Sequence, residues 1–122
     1  MIITKHILVV DDNKVNLIFA KQSLGSHYNL TLVTSGAQAL HFLSKKIPDL
    51  ILLDLLMPEM NGIETYKKIK EQENLKNIPI IFLTANTDTS AQQECLELGA
   101  ADFILKPFNP KEMIESIEKA LK

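Results

Sequence analysis

Residues 49–54 read DLILLD and residues 79–84 read PIIFLT. Each is an almost unbroken apolar run of strand length. A strand with one wet face alternates apolar and polar residues. A run without alternation belongs to a strand covered on both faces, as in a parallel sheet between helices. Three more short runs lie at 6–10, 29–33 and 102–105. The run at 29–33, NLTLV, alternates more, as fits a strand nearer a sheet edge.

The segments between the runs carry helix start and stop signals. Asn13 is placed to cap a helix over 14–24 that stops before Gly25. Ser35 with Gln38 three residues later has the capping-box spelling, opening a helix to about residue 44; Asn61 with Glu64 repeats it. A fourth helix over 89–98 stops at Gly99. Asn109, Pro110 and Glu112 open a fifth, whose Met113, Ile114, Ile117, Ala120 and Leu121 form one stripe. The order is (βα)₅. Alternation with short links predicts a doubly wound α/β fold with a parallel sheet and right-handed crossovers. In such sheets the binding crevice lies beyond the carboxyl ends of the strands.

Composition narrows the field. The 122 residues suit one domain, expected over 1–122, with 46% hydrophobic and 23% charged residues. A net charge of -2 gives no reason to expect nucleic-acid or anionic-membrane binding. The single cysteine, Cys95, rules out an internal disulfide and is compatible with a cytoplasmic location. No apolar run reaches the ~18 residues of a membrane span. The N-terminal MIITKHILVV runs into Asp11 and Asp12 with no small-residue cleavage site, so no signal peptide is expected.

The strand ends hold the chemistry. The first run ends in Asp11 and Asp12, the third in Asp54, the fourth in Thr84 and the fifth in Lys106. Singly, each has a commonplace explanation as a turn residue, a cap, a β-former or a solvated charge. Jointly they are complementary. Three clustered carboxylates repel one another, so at least one pKa should rise unless a cation joins them. An all-oxygen acidic site suits a hard divalent ion, and Mg²⁺ tolerates a few protein oxygens plus water and phosphate. A lysine and a hydroxyl beside them suit an anion. Together these groups make a phosphoryl-transfer site, in which a carboxylate can serve as nucleophile.

With these residues in place, the chain resembles the receiver domain of bacterial two-component response regulators. The resemblance rests on VVDDNKVN at 9–16, DLILLDLLMPEMNG at 49–62, FLTA at 82–85 and FILKPF at 103–108. It implies the flavodoxin-like strand order 2-1-3-4-5, for which a receiver protein is itself a standard example. It implies Asp54 as phosphoacceptor, Asp12 as direct metal ligand and Asp11 as a partner acting through water. The backbone carbonyl of Leu56 would be the third protein ligand to Mg²⁺. Thr84 and Lys106 would contact the phosphoryl group, Ala85 would leave the acceptor accessible, and Lys106–Pro107 would be a cis peptide. Phe103 matches the aromatic switch, although tyrosine is frequent there and its hydroxyl is lost. Asn61 stands where aspartate is common and can still cap its helix.

The resemblance also implies a phosphorylation-controlled switch rather than an enzyme acting on an outside substrate. Its phosphodonor would be a sensor histidine kinase or phosphotransfer protein. The surface of the fourth helix, fifth strand and fifth helix would signal to a partner, an output domain or a second copy. Leu56 and Asn86 would tune water access. Two other classes share parts of the pattern. A haloacid-dehalogenase-type phosphatase needs a second acid two residues after its nucleophile, where this chain has Leu56. A flavodoxin-like flavin binder would meet repulsion between its phosphate and Asp11 and Asp12. His6, His27 and His41 have no ligand spacing, and Cys95, Met57 and Met60 read as packing residues.

Overall fold

Five strands alternate with five helices in the computed structural model, which describes residues 4–84, 89–106 and 109–122. They run β1 (His6–Val10), α1 (Lys14–Leu24), β2 (Asn29–Val33), α2 (Gly36–Leu43), β3 (Leu50–Asp54), α3 (Gly62–Lys70), β4 (Ile80–Thr84), α4 (Thr89–Glu97), β5 (Asp102–Leu105) and α5 (Pro110–Leu121). All neighbouring strands are parallel, in the order β2-β1-β3-β4-β5. The expected fold and strand order hold.

The unbroken runs are the central strands. Every residue of β3 and β4 is buried. Alternate side chains feed two cores. One holds Leu8, Val10, Ile51, Leu53, Ile80 and Phe82 with residues of α2, α3 and α4. The other holds Ile7, Val9, Leu52, Ile81, Leu83 and Ile104 with residues of α1 and α5. β2 lies at the edge, as its weaker pattern predicts, and is only partly buried along most of its length.

Two strands start one residue later than the apolar runs. Asp49 still donates its N–H to the His6 carbonyl at 2.8 Å, and its carboxylate accepts the His6 N–H at 2.8 Å. Pro79 has no N–H to give, but its carbonyl still accepts from Ile51 at 3.0 Å.

The helix caps are mostly those the sequence spells. Asn13, Ser35, Asn61 and Asn109 each accept backbone N–H groups of the following turn. Asn61 and Glu64 form a full capping box. Ser35 and Gln38 do not. Ser35 accepts from Gln38 N–H, but the Gln38 side chain reaches one residue further back and accepts from Thr34 N–H and hydroxyl.

Polar ties fix helices to the sheet. The Tyr28 hydroxyl donates to Glu118 of α5, and the Ser116 hydroxyl donates to Asp102 of β5. The Tyr66 ring packs on Phe82 at 5.4 Å, and its hydroxyl donates to the carbonyl of Leu98, just past α4, at 2.9 Å.

Gly62 opens α3 directly behind β3. A Cβ there would sit 2.3 Å from the Asp54 carbonyl oxygen and 2.8 Å from Leu55 Cα, both backbone atoms that cannot swing aside. Its N–H also closes the loop by donating to Leu55 O at 2.9 Å. Gly62→Ala should therefore lower unfolding free energy by about 1–3 kcal/mol, as overpacking does. Urea denaturation measures this, and an unchanged midpoint would contradict the close packing.

Candidate functional site

The backbone ladder continues past the strands and sets the site. Asp11 N–H donates to Val33 O at 3.1 Å, Leu55 N–H to Leu83 O at 2.9 Å and Lys106 N–H to Thr84 O at 2.8 Å. Asp11, Asp54, Thr84 and Lys106 are therefore each the last residue of a strand or the one just beyond it, and Asp12 follows Asp11. The ends of β1, β3, β4 and β5 meet because these strands lie side by side.

Asp54 closes β3 and is 4% exposed; Asp11 is 1% exposed and Asp12 is exposed. One oxygen from each of the three carboxylates lies within 4.8 Å of the others. Lys106 reaches between two of them, with Nζ 3.0 Å from Asp54 Oδ1 and 3.1 Å from Asp11 Oδ2. Only the Asp54 contact is aligned as a hydrogen bond. Asp11 Oδ2 is buried and accepts none, while Asp11 Oδ1 accepts the Asn13 N–H at 2.9 Å. Thr84 ends β4 and is 1% exposed.

A cleft of about 280 Å³ opens over these groups, lined by Asp12, Asn16, Asp54, Leu56, Thr84 and Lys106 among others. The Leu56 side chain stands 66% exposed at its margin. Phe103 is partly buried against the α2–α3–α4 core. It pairs in register with Phe82, two residues before Thr84, so Phe103 and Thr84 share the α4 side of the sheet. Ala85, Asn86 and Pro107, and with them the peptide expected to be cis, lie outside the described residues.

Electrostatics follow from the geometry. Burial pushes the Asp54 carboxyl up from 3.8 to about 7. The Lys106 hydrogen bond and charge oppose this, while the Asp11 charge and the Asp12 carboxyl add to it. Burial pulls the Lys106 ammonium down, but the hydrogen bond and charge of Asp54, and then the close Asp11 carboxylate, outweigh it and hold it above its usual value. One ammonium among three carboxylates leaves an excess of negative charge. The buried Asp11 oxygen that accepts no hydrogen bond, the all-oxygen donor set and the raised Asp54 carboxyl all fit a hard divalent cation.

The sequence already marked Asp11, Asp12, Asp54, Thr84 and Lys106 as strand-end groups. It did not show that Lys106 pairs with two of the carboxylates. It also passed over Asn16, which lines the cleft one helical turn into α1. Its signal was there: the third residue of a helix whose N-cap is Asn13. The exposed face of α1, with Val15 72% and Ile18 57% exposed, was missed too. These residues interleave with the buried Leu17, Ala20 and Leu24, so α1 is apolar on both sides.

Comparison with known proteins agrees with this geometry. The family described as response regulator receiver domain matches residues 7–118. The chain is 42% identical over 101 residues to a probable cyclic di-GMP phosphodiesterase of Vibrio cholerae. That match covers 83% of this chain but only 23% of that protein's length. It is 37% identical over 119 residues to the two-component response regulator ORR5 of rice, Oryza sativa subsp. japonica, covering 96% of this chain and 89% of the regulator. Among solved structures, the receiver domain of a sensor histidine kinase from Pseudomonas aeruginosa superposes with a TM-score of 0.89 at 34% identity, covering 98% of each chain. It carries a magnesium ion coordinated in its active-site cleft.

The pH dependence has a definite sign. With its pKa raised, Asp54 binds a proton more tightly folded than unfolded. Without divalent ions its contribution to stability falls as pH rises from about 4 to about 7, and the penalty is complete above that. His6, held below its usual value by burial and Lys46 despite Asp49, contributes with the opposite sign. The difference between wild type and Asp54→Asn isolates the Asp54 part. Urea midpoints from pH 5 to 8 in EDTA should fall more in wild type than in Asp54→Asn. Parallel profiles would contradict the buried, raised carboxyl.

Proposed function

The chain belongs to the response regulator receiver domain family of two-component signalling, and from that premise we propose that Asp54 accepts a phosphoryl group from phosphohistidine on a sensor histidine kinase or phosphotransfer protein. The observation that carries this is Asp54 itself, buried at the floor of the cleft beside two more carboxylates and Lys106. An Asp54 carboxylate oxygen attacks phosphorus in line. The O–P bond forms as the N–P bond breaks, and the imidazole leaves with the electron pair. Asp11, Asp12, Asp54 and the Leu56 carbonyl would hold Mg²⁺, which when bound offsets the charge on the transferring group.

The chain's own groups then respond. Lys106, 3.0 Å from Asp54 Oδ1, is close enough to follow the new phosphoryl oxygens. Thr84 supplies a hydroxyl from the end of β4. Phe103, on the same side of the sheet, moves into space the Thr84 side chain leaves. The α4-β5-α5 surface changes and is read by a partner, an output domain or a second copy. Chemistry is confined to the chain's own aspartate, with no turnover of an outside substrate, and Leu56 with Asn86 sets water access and phosphoryl lifetime. Among the described residues no helix is long and apolar enough to cross a membrane. A cytoplasmic site of action follows from the proposed donor. Neither the phosphatase nor the flavin-binder alternative gains support. Leu56 occupies the position where the phosphatase needs its second acid, and the family match is to receivers.

Intact mass after incubation with acetyl phosphate and Mg²⁺ should show one phosphoryl adduct, mapping to Asp54 and absent without Mg²⁺. Full labelling of Asp54→Asn would overturn the assignment. The outer face of α1 beside the cleft, with exposed Val15 and Ile18, suits an apolar helix of the protein donor. Ile18→Ser should slow transfer from a phosphohistidine protein about tenfold, as loss of an interface anchor does. The rate with acetyl phosphate should stay unchanged. Equal slowing with both donors would refute the docking role.

A further inference from the structure

Asn16 is the third residue of α1, the position whose side chain closes a capping box by accepting the N-cap N–H. In α3 this happens, with Glu64 accepting the Asn61 N–H at 3.2 Å. In α1 that donor is already taken: the Asn13 N–H goes to Asp11 Oδ1 at 2.9 Å. Asn16 is thereby released from capping. Its own N–H is bonded to Asn13 Oδ1 at 3.3 Å. Its side-chain amide takes no hydrogen bond among the described residues. Yet the residue is partly buried and lines the cleft with Asp12, Asp54 and Lys106.

Resting on the Mg²⁺ reading above, we propose that Asn16 is a positioning residue for the metal's water shell. Its Oδ1 accepts a hydrogen bond from a water on the ion held by the three carboxylates. Mg²⁺ keeps several of its waters in protein sites, and the ion makes their protons strong donors that need acceptors. Partners in the outer shell orient such ligands and tune affinity. Two neighbouring acceptors on this wall are engaged: Asp11 Oδ1 by Asn13 N–H, and Asn13 Oδ1 by Val15 and Asn16 N–H. An amide offers an acceptor there without adding a fourth negative charge.

Isothermal titration of Mg²⁺ into the full chain, with no phosphodonor present, tests this in wild type, Asn16→Leu and Asn16→Asp. Leucine keeps the shape and removes the acceptor, so its Kd should rise about tenfold. Aspartate keeps an acceptor and adds charge, so it should bind at least as tightly as wild type. The side-chain ¹⁵N amide signal that is present in wild type and missing in Asn16→Leu should shift on adding Mg²⁺. Thermal melts in EDTA check folding; should the leucine variant not fold, the aspartate variant and an amide signal assigned through the backbone decide. Wild-type affinity in Asn16→Leu overturns the inference, as does an aspartate variant weakened like leucine. A wild-type chain that binds no Mg²⁺ fells the metal reading as well, which separates the two failures.

Discussion

One ammonium shared between two buried carboxylates is the constraint around which the rest of the molecule is arranged. Lys106 stands within 3.1 Å of both Asp11 and Asp54, yet it bonds fully to only one. Burying that much charge is costly unless the partners are held rigidly. The rigidity comes from the sheet. The ladder bonds of Asp11, Leu55 and Lys106 to neighbouring strands fix where each side chain starts. Two apolar cores, one on each face, fix the strands in turn. The site is thus an edge condition of the fold, and with three carboxylates to one ammonium it stays short of positive charge.

That shortage gives the site its character. A fully neutralised cluster would be a structural salt bridge with little reason to recruit anything. Here an oxygen of Asp11 is buried without a hydrogen bond, and the carboxyl of Asp54 is pushed up towards neutrality. Both are signs of a pocket that gains from a cation.

Much of this was legible in the sequence. The runs at 49–54 and 79–84 have no alternation because both faces are covered, and together with the intervening helix signals that selects a parallel sheet. The caps at Asn13, Asn61 and Asn109 are local chemistry, so they read correctly. What escaped depends on competition between local bonds. Gln38 has the right spacing to close a box on Ser35, but the Thr34 N–H and hydroxyl together outbid a single donor. Asn16 sits where a capping side chain belongs, but a carboxylate two residues before the cap takes the donor first. The pairing of Lys106 spans fifty-two residues to Asp54, and no local spacing announces it. The exposed apolar face of α1 hid because its residues interleave with core residues on one short helix.

Tyr66 carries a mechanical consequence. Its hydroxyl holds the chain at Leu98, just past the end of α4, while its ring rests on Phe82 beneath the same helix. The other end of α4 begins five residues after Thr84. Between those ends Cys95 is fully buried in the same core and Ala91 packs against it, so α4 shifts only if that apolar face repacks as a unit.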